Sequence, residues 1–284
     1  MTKRNNNIRL KEVENTDLEE TILSIQINLD GFSFCIYNPL NNKIVVFQDF
    51  DFEEKALTPE KHLNALTSIF DSNEFLKRKF KKVTVIHQNE LATLVPDALF
   101  EEQQLKSYLQ HTIKLLPIDY VTYDSIKEIA AKTVYIPFVN LNNYLFGIYG
   151  SFEYFHVFTK LIESLSENAL QKESVIFANV NDTNFECIAF NKGELQLINR
   201  FNFNTAEDFL YYILFVAEQL EFDPESFELQ LLGDIEKHSE IFELCYQYIR
   251  NVNFYEIENQ RLNESFKNIS KHHHYLLLNQ EYSA

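Results

Sequence analysis

The sequence has no tryptophan, one methionine and only 5 glycines among 284 residues. Its core must therefore be rich in rings, and 26 Phe and 15 Tyr supply them. So few glycines leave little material for the loops that let backbone N–H groups approach a phosphate closely. No G-x-S-x-G elbow and no P-loop occurs. The three cysteines, Cys35, Cys187 and Cys245, lie in apolar segments and form no C-x-x-C, which points to reduced core thiols rather than a disulfide framework. Long apolar runs are missing too. The longest, Phe209–Ala217, is far shorter than the roughly 20 residues that span a bilayer, so no membrane insertion is expected. Residues 1–20 contain no apolar stretch of the signal-peptide kind, and the expected location is the cytoplasm. Positive charge is also short: 25 Lys and Arg stand against 42 Asp and Glu, a formal net charge of −17. Nucleic acids and anionic membrane surfaces are poor partners for such a chain. Solubility, or a basic protein partner, is the better reading of the acidity.

What is present is a real core, since hydrophobic residues make up 45% of the chain. Residues 1–21 are polar and expected to be loosely ordered. Strand-like runs follow at Leu23–Leu29, Phe32–Tyr37 and Lys43–Phe50, with turn signals at Asp30-Gly31 and Asn41-Asn42 between them. Thr58-Pro59-Glu60 opens a helix in the expected way, with an N-cap residue, Pro at N1 and an acid in the first turn. A strand is expected at Lys82–His87, a helix over about 97–111, a strand at Lys132–Pro137 and a helix at Phe152–Leu165. From Ser174 the opening pattern returns: strands at Ser174–Val180, Phe185–Phe190 and Glu194–Phe201, then a helix at Thr205–Leu220, a strand at Phe227–Leu232 and a helix at Ile235–Ile249. The two openings superpose at a constant offset that pairs Ile25 with Ile176, Asn28 with Asn179, Phe34 with Phe185, Phe50 with Phe201 and Phe52 with Phe203. An internal repeat of a whole lobe accounts for this, with a first lobe over 22–170 and a second over 171–284.

Three stretches carry a family resemblance. SIQINLDGFSFCIYN, SVIFANVNDTNFECIAFNKGELQLINRF and FELQLLGDIEKHSEIFELCYQYIRNV resemble the first phosphate loop, the second phosphate loop and the adenosine-binding strand–turn–helix of actin-like ATPases. The resemblance runs over nearly the whole chain and is nearest to actin-like proteins of bacterial cell division and pilus assembly. The chain also looks like a bacterial family of actin-like-fold proteins that is a domain of unknown function. It implies an α/β, two-lobed actin-like ATPase fold with a ribonuclease H-like repeat, in which a β-meander plus helix–strand unit is duplicated.

The departures from that family pattern bear on activity. The pattern asks for Asp-x-Gly in each phosphate loop, where Asp holds Mg²⁺ and Gly admits the phosphates. Here Asn28 and Asn179 stand at the Asp positions, Asp30 and Asn181 at the Gly positions, with Gly31, Asp182 and Thr183 following. The adenosine motif has Gly233-Asp234 where a Gly-Gly pair is expected. Asn keeps the shape of Asp and loses the charge that holds Mg²⁺. A carboxylate about 4 Å from a phosphate costs about 4 kcal/mol at an effective dielectric of about 20, or about three decades of affinity. The expectation is a degenerate nucleotide site, a pseudo-ATPase with no cofactor that serves as a scaffold or adaptor for another protein. Two alternatives remain. One is a switch that binds Mg-ATP through shifted loops at Asp30-Gly31 and Asp182-Thr183. The other is a sugar- or acyl-kinase relative, for which the sequence offers no particular catalytic acid. Independently of any ligand, Asn28 and Asn179 suit strand-end turns through local side chain–backbone hydrogen bonds.

Other features are weaker signals. His272, His273 and His274 do not converge on any one helical or strand face, and no further ligand lies nearby in sequence, so the expectation is a final segment packed back onto a lobe. Arg261, Lys267 and Lys271 form a modest basic island. Asp119, Asp124 and Glu128 are scattered acids with no fixed pair for acid–base work.

Overall fold

A computed structural model describes residues 9–11, 18–52, 58–256, 261, 262, 266, 270 and 272–279. Three strands open the first lobe: β2 (Ile22–Ile27), β3 (Gly31–Asn38) and β4 (Lys43–Asp51), after a short β1 (Arg9–Lys11). Helix α1 (Pro59–Ser72), β5 (Lys82–His87), β6 (Ala92–Pro96), α2 (Leu105–Leu109), β7 (Thr122–Ile126), β8 (Ala131–Tyr135), α3 (Val139–Tyr149), β9 (Glu153–His156) and α4 (Val157–Ala169) follow. The second lobe holds β10 (Ser174–Val180), β11 (Asn184–Asn191), β12 (Glu194–Asn202), α5 (Ala206–Gln219), β13 (Glu228–Gly233), α6 (Glu240–Tyr248) and β14 (Asn251–Phe254), and α7 (Tyr275–Asn279) comes last.

The repeat is visible in the topology. The first sheet runs β1-β4-β3-β2-β5-β9 and the second β12-β11-β10-β13-β14. Without the added edge strand β1, both have the order third-second-first-fourth-fifth, a meander extended by two parallel strands. Between β5 and β9 the first lobe carries an insertion, a three-stranded sheet β6-β8-β7. The N-terminal segment expected to be loosely ordered thus contributes β1, paired antiparallel with β4.

Local chemistry explains the helices. Thr58 caps α1 by accepting from the Lys61 N–H, and Thr205 and Asp208 form a capping box on α5. Ser239 caps α6, so that helix begins at Glu240, later than the Ile235 its apolar pattern suggests. Residues 97–111 form two short 3-10 turns and α2 instead of one long helix. The helix expected from Phe152 divides: Glu153–His156 join the sheet edge as β9, and the chain turns into α4 at once.

Each lobe buries one sheet face under its own helices. Phe32, Phe34, Leu66, Phe70 and Leu145 belong to the first of these cores, Phe185, Phe209, Ile213, Leu231 and Cys245 to the second. The other sheet faces look toward each other, with α4 and α7 between them. Leu161, Leu165, Phe177, Phe190 and Leu232 share one core with Tyr275 and Leu276. Helix α4, from the end of the first lobe, packs on β5, β7 and β9 of its own lobe and on β11 and β12 of the second, while α7, from the end of the chain, lies on β2 and β3 and against α4. The C-terminal segment therefore returns to the first lobe, as Cys35 Sγ donating to Leu277 O at 3.2 Å also records. All three cysteines are buried.

Candidate functional site

The residues expected to line a nucleotide cleft lie where the parallel strands of both sheets end. In the first lobe Asn28 closes the β2–β3 turn. Its Oδ1 accepts the N–H groups of Asp30 (2.9 Å) and Gly31, and its own N–H donates to Gly31 O at 3.2 Å. The buried His62 of α1 holds Asn28 O from behind at 2.9 Å. A side chain at Gly31 would meet Phe50 O at 2.7 Å, so that glycine serves strand packing.

The second turn is built from different residues than the sequence alignment suggests. Ile27 pairs with Phe32, and Val180 pairs with Phe185, an offset of 153 (from 27 to 180). Asn181, rather than Asn179, is the counterpart of Asn28: its N–H donates to Asn184 O at 2.8 Å, as that of Asn28 does to Gly31 O. The offset returns to 151 at β4 and β12 (from 50 to 201), where Phe32 pairs with Phe50 as Phe185 pairs with Phe201. Two residues disappear because the β3–β4 turn has four residues, 39–42, and the β11–β12 turn two, 192–193. The Ile25–Ile176, Asn28–Asn179 and Phe34–Phe185 equivalences are therefore corrected, while Phe50–Phe201 and Phe52–Phe203 hold. Phe52 N–H bonds Asp30 O just as Phe203 N–H bonds Thr183 O.

The register places the remaining residues. Asn179 lies inside β10 and is buried; its counterpart is Gln26. Asp182 is exposed at the turn, opposite Leu29 in the repeat, and Asp30 matches Thr183. Gly233 ends β13 at φ +83°, where a Cβ would lie 2.3 Å from Val180 O. Its N–H is taken by His272 O at 2.8 Å, and the Asp234 N–H by Val180 O at 2.7 Å. The equivalent bond in the first lobe runs from Gln88 N–H to Ile27 O, 2.9 Å. Gln88 is thus the first-lobe partner of Asp234.

Gln88 is what the sequence reading missed. It is 1% exposed and crosses to the other lobe. Its Nε2 lies 3.0 Å from Asn181 Oδ1 and 3.2 Å from both oxygens of Glu186, and its Oε1 accepts from Gln26 Nε2 at 2.8 Å. Glu186, on β11, is fully buried and also accepts from Asn179 Nδ2 (2.8 Å) and Asn181 Nδ2 (3.2 Å). Arg200 Nη1 of β12 stands 3.4 Å from its carboxylate. The one sequence signal for Glu186 is its place in NFECIAF, a lone acid with apolar neighbours on both strand faces. Gln88 and Arg200 carry no such mark.

Behind Gln88 the first lobe is lined with imidazoles. His87 and His156 are fully buried, and burial pushes both down to about 3 from the ordinary 6.5; His62 moves in the same direction for the same reason. Burial also raises Asp124 to about 6, against hydrogen bonds from the His156 N–H, Thr159 and Tyr135. These bonds fasten the inserted sheet to the start of α4. The His272–His274 turn is structural. His272 Nε2 bonds Ile235 O at 2.8 Å, and the His274 ring packs on Phe47. Among the described residues no group of three or more His, Cys, Asp or Glu side chains is placed to hold a metal. Of the basic island, Lys267 and Lys271 lie outside the described residues. Among those residues no helix is long and apolar enough to cross a membrane.

Two sheets of this order, joined as a repeat around a cleft, define an actin-like ATPase fold. Comparison with solved structures agrees. A Bacteroides thetaiotaomicron protein with actin-like ATPase fold and unknown function superposes with a TM-score of 0.76 at 26% identity, covering 88% of this chain and 95% of that one. The PilM–PilN type IV pilus biogenesis complex gives 0.55 at 9% identity, over 84% and 89%, a likeness of fold. The chain belongs to the family described as Protein of unknown function (DUF3822), which it matches over residues 10–252. Comparison with curated proteins gives no match.

Proposed function

We propose that the protein is a non-enzymatic scaffold or adaptor with a degenerate nucleotide cleft, and that it binds another protein. The observation that carries this reading is the Gln88 bridge. In a phosphate-binding cleft, backbone N–H groups of two loops face an open space. Here side chains of the two lobes bond one another across that space, and a buried carboxylate, Glu186, stands among them. A triphosphate would have to break these bonds and lie beside an anion. The N–H of Gly233 is already bonded to His272 O. Recruitment through the same fold is compatible with the PilM–PilN complex, where an actin-like protein of similar fold has a protein partner.

The alternative, a switch using Asp30-Gly31 and Asp182-Thr183 as paired loops, loses its symmetry in the register. Asp30 corresponds to Thr183 and Asp182 to Leu29, so the two carboxylates do not face a ligand as equivalents.

The test is the thermal unfolding midpoint with and without millimolar Mg-ATP or Mg-ADP. A ligand at about 100 times its Kd adds about 2.7 kcal/mol, roughly 5 °C for lobes of this size. No shift is expected. A shift of that size, abolished by Asp30→Ala or Asp182→Ala, would establish the switch instead.

A further inference from the structure

The repeat allows one helix of this protein to be read against its own duplicate. Thr58 caps α1 and Thr205 caps α5, so Glu60, Asn64, Ser68 and Asp71 correspond to Glu207, Tyr211, Phe215 and Glu218. The buried stripes match on the same alignment: His62, Leu66 and Phe70 face one core, Phe209, Ile213 and Ala217 the other. The outward edge of α1 is wholly polar, as a solvated helix requires. On α5 the two acids remain and the two residues between them are aromatic. Tyr211 is 62% exposed and Phe215 43% exposed, directly opposite the buried stripe, with rings stacked at 6.1 Å. The fold does not need rings there, because α1 does the same structural work without them.

We propose that the outward face of α5 is a docking surface for a Lys- or Arg-rich amphipathic segment of a different protein. Charge selects the occupant. Neither α5 nor its packed neighbour α6 contains a Lys, Arg or His. Between them they expose Glu207, Glu218, Glu240 and Glu243, with Tyr246 on α6 a further exposed ring. Aromatic faces flanked by carboxylates attract cationic side chains through ring quadrupole and ion pairing together. A second copy of the chain is a poor occupant, since each copy brings a formal charge of −17. The proposal rests on the adaptor reading and names its surface and the chemistry of its partner.

The experiment pans a display library of random linear dodecapeptides on the full chain at low salt. Peptides that also bind the Tyr211→Asn/Phe215→Ser variant are removed. That variant copies the outward edge of α1, so its unfolding midpoint should match the parent. The expected survivors combine Lys or Arg with apolar residues. Loss of both rings should weaken them about tenfold or more, and Glu207→Gln/Glu218→Gln should weaken them and flatten their salt dependence. The proposal is overturned if nothing is enriched over the variant, if survivors are neutral or acidic, or if sedimentation shows self-association of the parent that the variant loses. Basic peptides insensitive to the variant would remove this surface and leave the adaptor reading standing. A nucleotide-induced thermal shift would remove that reading alone.

Discussion

Arg200 Nη1 stands 3.4 Å from the carboxylate of Glu186, and the same two places in the first lobe are held by Asp49 and Ser33, 2.6 Å apart. The repeat has thus kept a polar contact between its second and third strands on the inward sheet face and changed its chemistry. In the second lobe it is an ion pair, with the Glu186 side chain 0% and the Arg200 side chain 12% exposed.

Glu186→Gln should be among the costly substitutions in this protein. One carboxylate oxygen accepts from Asn179, Asn181 and Gln88, and the other faces Gln88 and Arg200. A glutamine in either orientation turns its NH₂ toward a donor and leaves Arg200 without its counter-charge. The expected loss is about 3 kcal/mol in urea unfolding. Adding Arg200→Met should recover part of it, since the unpaired cation is then gone. A Glu186→Gln protein within about 0.5 kcal/mol of the parent would mean that the bridge between the lobes contributes nothing to their stability.

Two glycines should respond in opposite ways to alanine. Gly233 has φ +83° and its Cβ would strike the backbone of Val180, the end of β10, which β11 and β13 hold on both sides. Gly233→Ala is expected to unfold the second lobe or prevent its accumulation. Gly147 is inside α3 with nothing within 4 Å of its Cβ. Gly147→Ala should raise stability by about 0.5–1 kcal/mol. Circular dichroism melts of the two variants check both, and a folded Gly233→Ala protein with an unchanged midpoint would contradict the tight approach at the cleft.

Both opening meanders, the strands β5, β8 and β13, and the helices α1, α4, α5 and α6 were legible in the sequence, because period-two runs and Thr–Pro or Thr–Asp caps are local signals; β6, β7, β14 and α3 were not. The sequence misplaced the second turn for a physical reason. The shorter β11–β12 turn slips the first hairpin by two residues, and a slip of two leaves every side chain on the same sheet face. Apolar alternation is blind to such a shift, and only the strand register separates Asn181 from Asn179 as the partner of Asn28. The β9 strand was hidden because four residues run into α4 without a turn, capped by His156, whose Nδ1 accepts the Phe158 N–H; histidine is not a recognised capping signal. Gln88 was unreadable, since its meaning depends on Glu186 and Asn181, which lie in the other lobe.

Acid should unfold this protein through its histidines. His87 accepts the Phe138 N–H on Nδ1 and donates from Nε2 to Asn142; His156 accepts on Nδ1 and donates from Nε2 to Asn89 O. Burial holds both rings neutral against the opposing pull of the Asn142 and Asn89 bonds, with values of about 3 in the fold against 6.5 outside it. Their contribution is complete above pH 6.5 and is lost as pH falls toward 3, at about 1.4 kcal/mol per pH unit for each ring well below 6.5. Asp124 works the other way. Raised to about 6 from 3.8, it takes up a proton in the fold before it does in the unfolded chain, so between pH 6 and 3.8 it adds stability as pH falls and offsets one histidine. Urea midpoints measured from pH 7 to pH 4 should therefore decline, and those of Asp124→Asn should decline more steeply between pH 6 and pH 4. Equal slopes in the two proteins would show that Asp124 ionises as an ordinary surface carboxylate does, and would remove the buried clamp between the inserted sheet and α4.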